Sequence, residues 1–525
     1  MHPPPWGRLI AIETELKLAA RTGDLPAVRR ALEAMAGNVG GRPRATRSRL
    51  VSTYFDTPDH TLARHGSTLR VRRHGRKFVQ TIKTTGAPGD RELSRGEWED
   101  RVAGEQPDPQ AAQTGPFLSP EIFAELRPLF RTEVSRLTIP LAPSPAIRIE
   151  AAIDRGLIRD GAQMPAEPIS EIELELKSGA PTALYDVALK LLHVAPLRLE
   201  RRSKSERGYL LAAHKHASVK AVHAAPVALS ADLAGDEAFR RIAHACLDHL
   251  LHNEDAALSG DVEGIHQMRV AVRRLRAMLS AFSPLLPHAQ RRRVSDELRW
   301  LAGLFGDARN LDVFADSLLA SARDALPAAP EFDRLARALE RRRRAAHAGV
   351  RSGISSLRYT ETLLEVLRWL DGDDWHLAGA AALHDPIALL APRMLDRFRN
   401  QVAKRARKFH HQSPNKRHRL RIALKKLRYA AEMFGSVYEP AAVKQFIQRL
   451  KRLQDDLGDA NDVRVAHEIV ARLVAERERG IGIARAGHLM LDWHRQRIAK
   501  HEPQLRNHMA ELLATESFWP APDLD

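Results

Sequence analysis

Ala11-Ile12-Glu13-Thr14-Glu15-Leu16-Lys17-Leu18 is the stretch from which the first part of the chain can be read. Side chains alternate across a strand with period two. As a strand, it sets Glu13, Glu15 and Lys17 on one face and Ile12, Leu16 and Leu18 on the other. Two carboxylates on one face repel, and a divalent cation relieves that repulsion because hard cations take carboxylate oxygens. Taken alone, the stretch fits a solvated edge strand as well as half of a metal site.

The same alternation continues outward. Residues 8 to about 215 read mainly as strands: 50–55, 67–73, 77–83, 96–102, 134–141, 146–154 and 169–177, with short helices at 25–36, 120–129 and 181–193. Residues 103–116 read as a loop. Arg70 and Arg72 share one face against Leu69 and Val71, and Thr81 shares one with Lys83. Arg148, Glu150 and Asp154 oppose Ile147, Ile149 and Ile153, while Glu171, Glu173 and Glu175 oppose Ile172, Leu174 and Leu176. A sheet with one wet face has this pattern. A closed barrel would instead gather acidic and basic faces inside, with apolar faces outward under the helices. Such an interior suits a metal and a polyanion together, carboxylates holding the ion and cations the phosphate oxygens.

Composition agrees with an anionic partner. The 525 residues carry a formal net charge of +17, with 44% hydrophobic and 28% charged residues. Such a balance draws nucleic acid or phosphate polymers. Aromatic content of 5% argues against stacking on single-stranded nucleic acid, so nucleic acid is not the expected partner. Cys246 is the single cysteine and forms no intrachain disulfide, as in a reducing compartment. The N-terminal MHPPPWGRLI lacks an apolar signal core, and no run approaches the roughly 18 apolar residues that span a bilayer. A cytoplasmic location without a membrane partner is expected.

Glu13-x-Glu15-x-Lys17, TYFDTPD at 53–59, LRVRR at 69–73, TIK at 81–83, EIELELKSG at 171–179 and SKSERGY at 203–209 together resemble the CYTH domain of the triphosphate tunnel metalloenzymes. The resemblance spans most of residues 8–213 and is strongest to bacterial inorganic triphosphatases. It implies an eight-stranded antiparallel β-tunnel with flanking helices that hydrolyses inorganic triphosphate, or a related triphosphate, with Mg2+ or Mn2+. Carried over, Glu13, Glu15, Asp154, Glu173 and Glu175 match metal ligands. Lys17, Arg70, Arg72, Lys83, Arg136, Arg148 and Lys204 match triphosphate-binding residues, with Arg49, Arg95 and Arg207 as weaker matches. Lys17, Glu173 and Glu175 fall where the chemistry would occur.

After residues 216–234, a segment rich in Ala, Val and His that reads as a linker, the periodicity becomes helical to about residue 515. Breaks are expected at 284–287, 303–306, 327–330, 372–374, 385–386, 413–414 and 458, with halves at about 236–385 and 386–515 and a tail at 516–525. His266-Gln-Met-Arg269-Val-Ala-Val-Arg273-Arg274-Leu-Arg276 parallels His418-Arg-Leu-Arg421-Ile-Ala-Leu-Lys425-Lys426-Leu-Arg428, and Gly306-Asp-Ala parallels Gly458-Asp-Ala. Both parallels have one offset, 418 − 266 = 458 − 306 = 152, which marks an internal repeat. The Gly-Asp-Ala segments read as loops. At roughly 100° per residue, His266, Arg269, Arg273 and Arg276 share a face opposite Met268, Val272 and Leu275, and the second copy repeats this. A solvated basic face is one reading. A stripe of one sign costs helix stability, so two matched stripes converging on a basic groove are the other. No carboxylate or cysteine recurs at ligand spacing around the histidines.

These duplicated His-x-x-Arg helices resemble the CHAD domain over about 236–510. The resemblance implies a duplicated helical bundle, following the α+β tunnel as an all-α domain, that binds inorganic polyphosphate. His266, Arg269, Arg273, Arg276, His418, Arg421, Lys425 and Arg428 are the matching residues, and Arg274 and Lys426 lie off the stripe. The runs Arg341–Arg344 and Lys404–Lys408, with His410 and His411, read either as solvated surface or as an extension of the groove. The organisation expected is a tunnel domain at 1–215, linker, and helical domain at 235–515. Its function is triphosphate hydrolysis tethered to polyphosphate, at polyphosphate granules if the tether is used. A polyphosphate-binding, granule-targeting protein with little activity is the alternative.

Overall fold

The computed structural model describes residues 12–36, 45–84, 94–160, 166–213, 220–327, 330–372, 375, 381–407, 409, 412–476 and 481–521, with only the backbone of Ile12, Glu13, Ser94 and Arg95. Two compact units result: Met1–Ser218 with Ser355–Gly372, and Val219–Ile354 with Asp373–Asp525.

In the first unit, β1 (Ile12–Ala19), β2 (Thr46–Asp56), β3 (Ser67–His74), β4 (Lys77–Thr84) and β5 (Ser94–Val102) are followed by β6 (Arg127–Ser144), β7 (Ile147–Arg159) and β8 (Glu167–Ser178). They pair in the order β5-β4-β3-β2-β6-β7-β8-β1. β1 then returns to β5 antiparallel, with Ile12 opposite Gly96 and Thr14 opposite Ser94. Eight antiparallel strands therefore close a tube, as the alternation and the resemblance led one to expect. A ninth, two-residue strand, β9 (Arg198–Leu199), sits on β1 beside Leu18 and Ala19.

Alternation decides which face is which. Phe55, Leu62, Leu69, Val71, Ile82 and Leu118 form a buried cluster on the outer face. It is covered by α2 (Thr61–Arg64) and α3 (Pro120–Glu125), while α1 (Leu25–Ala36) packs on β6. Burial of such side chains stabilises by about 1.5–3 kcal/mol each. On α4 (Thr182–Leu192), Tyr185 is fully buried. A distant segment, α12 (Leu357–Asp371), lies against α4: Tyr185 donates to Asp371 at 2.5 Å and Arg368 to Asp186 at 2.6 Å.

One helix lies on the inner face. Ser203 caps α5 (Lys204–Ala212), its hydroxyl accepting from Glu206 N at 3.1 Å while the Glu206 carboxylate accepts from Ser203 N at 2.6 Å. Leu211 packs with the inward residues Tyr54, Phe130, Val134, Ile158 and Ile169. Tyr209 donates to Asp56 at 2.9 Å, and the same buried carboxylate receives the amides of Leu62 and Ala63 at 2.9 and 3.0 Å. A Cβ on Gly208 would stand 2.0 Å from the Phe130 ring. Only glycine lets α5 close on the strands.

The second unit is helical: α6 (Gly235–Leu251), α7 (Glu254–Ser259), α8 (Val262–Ala281), α9 (His288–Val313), α10 (Ala320–Ala325), α11 (Glu331–Ile354), α13 (Ile387–Ala406), α14 (Pro414–Phe434), α15 (Pro440–Ala475) and α16 (Ile481–Ala514). The starts of α14 and α15 repeat those of α8 and α9 at the same offset of 152 (414 − 262 and 440 − 288). Two expected breaks are corrected here. Gly306 and Gly458 lie inside α9 and α15, not in loops. A helix tolerates glycine at about 1 kcal/mol relative to alanine, and the long apolar faces of these helices outweigh it. A π-helical turn at Phe314–Leu319 follows α9 where α15 runs on unbroken. No described helix is long and apolar enough to cross a membrane.

Gly208→Val should push α5 off Phe130 and cost about 1–3 kcal/mol. Urea unfolding measures this, with Gly104→Ala as the neutral control because a Cβ there meets nothing within 4 Å.

Candidate functional site

Pairing across β1, β8 and β7 stacks the inward acids in rows. Glu15 stands opposite Glu175, and Glu175 opposite Glu150. In the next row Lys17 faces Glu173, and beyond it Glu171 faces Asp154, which in turn faces Arg136 on β6. Directly opposed side chains have Cβ atoms about 4.5–5.5 Å apart. Carboxylate oxygens of Asp154, Glu171 and Glu173 lie within 4.8 Å of one another.

Protein cations sit among these acids. Arg136 grips Asp154 with two hydrogen bonds, 2.7 and 2.6 Å, and also donates to Glu173. Lys204, at the start of α5, reaches Asp154 at 2.7 Å and Glu173 at 2.9 Å and also donates to Glu171. Lys17 lies 2.8 Å from Glu15 and 3.7 Å from Glu173. Arg207 bridges Glu167 at 2.6 Å and Glu171 at 3.1 Å. Burial favours the neutral acid of Glu173, but Lys204, Arg136 and Lys17 hold it well below the usual carboxylate range. Burial likewise opposes the charge on Lys204, and Glu173, Asp154 and Glu171 override it, raising that ammonium's pKa.

A basic bank on β3 and β4 faces the same interior. Arg70 is 3.3 Å and Lys83 3.0 Å from Glu97 on β5, and Arg72 approaches the Ser52 hydroxyl at 3.4 Å. Burial and the charge of Arg70 lower Arg72 to about 10. The Tyr54 hydroxyl is raised by burial but lowered further by Arg70 and Arg72, for a net downward shift.

The structure thus brings Glu15, Lys17, Asp154, Glu173, Glu175, Arg70, Arg72, Lys83, Arg136 and Lys204 onto one interior face. Arg148 is not among them. The register slips between Arg148 and Ile149, and the exposed guanidinium turns back to the carbonyls of Ser144, Pro145 and Ile147 at 3.0–3.1 Å. Arg49 is exposed, 3.5 Å from Glu133. The side chains of Glu13 and Arg95 lie outside the described residues. Glu171 was expected on this face but not among the ligands, and Glu97 and Glu99, the latter accepting from Thr81 at 3.0 Å, were not singled out from the sequence. Strand parity held the signal for Glu97 and Glu99, which pair with Lys83 and Thr81.

In the helical unit the two repeated stripes meet. Burial and then Arg273, Arg309 and Arg421 lower Arg269 to about 9. Burial, Arg273, Arg421, Arg269 and Arg428 lower Lys425 to about 6. In each half the repeated arginine lies near the repeated glycine. Arg269 donates to the carbonyl of Gly306 at 3.3 Å and to Asn310 at 3.0 Å. Arg421 Nη2 stands 3.6 Å from where a Gly458 Cβ would be. A Cβ at Gly306 would meet nothing within 4 Å, so the two repeated glycines lie beside the basic seam without packing requiring either of them.

The remaining members differ. His266, with Nδ1 buried and without an acceptor or donor among the described residues, is lowered to about 4 by burial and Arg309. His418 Nδ1 bonds Asn461 at 2.7 Å. Arg428 is held by Gln454 at 2.9 Å and Glu432 at 2.8 Å. Arg276 lies near Arg299 and Arg273. Arg274 is buried off the stripe, and Lys426 donates to Ser280 at 3.0 Å. Of the basic runs, Arg342, Arg343 and Arg344 pair with Glu476, Asp312 and Glu340. Lys408, His410 and His411 lie outside the described residues.

A closed tunnel lined by acids and bases, joined in one chain to a duplicated helical unit with a basic seam, is the class these features define. Residues 11–209 match the CYTH domain family and residues 241–471 the CHAD domain family. The chain carries a CYTH domain followed by a CHAD domain. It is 34% identical over 163 residues to a protein named inorganic triphosphatase of Haemophilus influenzae, covering 31% of this chain and 46% of that one. The match thus spans about half of that relative. An uncharacterized protein of Mycobacterium tuberculosis is 27% identical over 445 residues, 80% of this chain and 81% of that protein. The crystal structure of the CHAD domain from the plant Ricinus communis superposes with a TM-score of 0.50 at 29% identity, over 57% of this chain and 98% of that one.

Lys204→Met should strip the shared cation from three buried acids and cost about 3–5 kcal/mol, because removing one member of a buried ion network strands the rest. Urea unfolding followed by intrinsic fluorescence measures this.

Proposed function

We propose that the tunnel domain hydrolyses inorganic triphosphate with Mg2+ or Mn2+ and that the helical domain binds polyphosphate. The observation that carries the first part is the clustering of Asp154, Glu171 and Glu173 within 4.8 Å on the interior that also holds Arg70, Arg72 and Lys83. This donor set is all oxygen, which suits a hard divalent ion. Asp154, Glu173 and Glu171, with Glu15 and Glu175 in the next row and Glu13 on the same strand, would hold it. A bound ion supplies charge neutralisation at the phosphate oxygens and lowers the pKa of water.

The chain's own residues do the remaining work. Phosphoryl transfer asks for positioning and neutralisation more than for covalent catalysis. Arg70, Arg72 and Lys83 bind phosphate oxygens from one side, and Arg136 and Lys204 from the acidic side. Lys17, between Glu15 and Glu173, places its ammonium at the reacting phosphate. Water attacks the terminal phosphorus in line; its oxygen bonds as the anhydride P–O bond breaks, leaving phosphate and pyrophosphate. Glu173, kept ionised by its cations, orients that water, and Glu175 takes its proton. The rival reading, a polyphosphate-binding protein with little turnover, is favoured by one observation. Lys204 and Arg136 already occupy the cluster's carboxylates, so an ion must displace them.

The second part rests on the converging stripes. Cations that lower each other's pKa are stabilised by a polyanion laid over them. The same chemistry fits granule association.

Glu173→Gln should abolish phosphate release from triphosphate with Mg2+ or Mn2+ while leaving polyphosphate retention unchanged. An inactive wild type that still retains polyphosphate selects the rival. Polyphosphate binding should also take up a proton. Lys425, faced by Arg269 and Arg273 from α8 and by Arg421 and Arg428 on its own helix, is lowered to about 6 and is mostly neutral above that pH. A bound polyanion raises it, so affinity falls as pH climbs above 6. Calorimetry in buffers of different ionisation enthalpy should show the uptake near pH 7, and Lys425→Met should remove it.

A further inference from the structure

A cavity of about 580 Å3 lies between α9, α11 and α15 in the helical unit. Its volume falls within the roughly 300–1,000 Å3 of small-molecule sites. Leu304, Leu311, Val465 and Ile469 give it an aliphatic lining. Gly303 and Gly349 line it as well, each inside a helix, where glycine costs about 1 kcal/mol relative to alanine. A Cβ at either position would meet nothing within 4 Å. Packing therefore does not demand these glycines, and their effect is to keep the space open. Gly353, one turn beyond Gly349, differs: a Cβ there would meet Leu304 Cδ2 at 2.5 Å. The helices touch at Gly353, and the cavity opens beyond it.

Polar groups complete the lining. Arg342, Arg464 and Arg472 stand with Asp307, Asn310 and Glu468. Arg464 pairs with Glu468, yet its Nε is buried without an acceptor among the described residues. Arg342 pairs with Glu476. Among the described residues Arg472 pairs with no carboxylate.

We propose that this cavity binds a nucleoside di- or triphosphate. The aliphatic lining suits the face of a base, Asp307 and Asn310 offer acceptors for amino and hydroxyl groups, and the guanidinium groups suit phosphate oxygens. An inorganic phosphate chain would leave the aliphatic surface unused, and an apolar ligand would leave Arg472 and the Arg464 Nε unused. The site is separate from the tunnel and rests on neither activity proposed above. It touches the basic groove at one side chain, because Asn310 also receives Arg269.

The test is calorimetry on the full chain with ADP, pyrophosphate and adenosine as separate probes. ADP should bind at least about tenfold more tightly than either fragment, a difference of about 1.4 kcal/mol. Gly349→Leu fills open space and should weaken ADP binding about tenfold or more. Arg472→Ala, at an exposed position, should weaken ADP and not adenosine. Arg72→Ala, in the tunnel, should leave ADP binding unchanged. Pyrophosphate binding that Gly349→Leu removes and that is as tight as ADP binding overturns the proposal, as does loss of ADP binding in Arg72→Ala but not in Gly349→Leu. Absence of ADP binding also overturns it. Should Gly349→Leu lower the melting temperature, the exposed Arg472→Ala decides alone.

Discussion

The backbone pairing of β1 with β5 is the contact on which the tunnel depends. Without it, Glu15, Glu173 and Arg70 would lie on a wet sheet face, each solvated and each nearly indifferent to the others. Closure removes water from that face. The acids must then find cations, and Arg136, Lys204, Lys17 and Arg207 supply them. A buried network of this kind contributes little net stability and is costly to break. Its value lies in fixed charge, held where an anion and its counter-ion would sit.

The two units handle charge in opposite ways. The tunnel balances its charges internally, so Glu173 stays ionised and Lys204 protonated despite burial. The groove leaves its cations to repel one another, and burial together with that repulsion makes Lys425 give up its proton more readily. A balanced site exchanges one set of partners for another on binding. An unbalanced one gains by having any anion at all, which suits a long uniform polymer better than a defined small molecule. The repeat makes that imbalance inexpensive to encode, because one helix pattern, copied, yields both walls.

Much of this was legible in the sequence because it rests on periodicity. Alternation in Glu13-x-Glu15-x-Lys17 and in EIELELKSG gives the strand faces directly, and the offset of 152 gives the repeat. What failed depended on other physics. Arg148 has the correct parity, but a register slip beside Ile149 cancels it. Gly306 and Gly458 looked like loop signals, although both lie inside long helices whose packing outweighs the glycine cost. Glu97 and Glu99 flank an outward tryptophan and carry the same alternation, yet Gly96 and Asp100 on the opposite face of that strand blur it. Arg309 belongs to the second helix of the repeat and enters the groove through tertiary packing, which one helical face cannot show.

The seating of Leu357–Asp371 on α4 bears on how the protein is made. The first unit is unfinished when residue 218 has been synthesised, since Asp371 and Arg368, which bond Tyr185 and Asp186, have not yet been made. A further 355 − 218 = 137 residues must be added before that helix begins to emerge. At about 5–20 residues per second this is a delay of roughly 7 to 27 s. During it the tunnel has one apolar helix uncovered, and the order of synthesis becomes a constraint on folding that the order of the domains does not suggest.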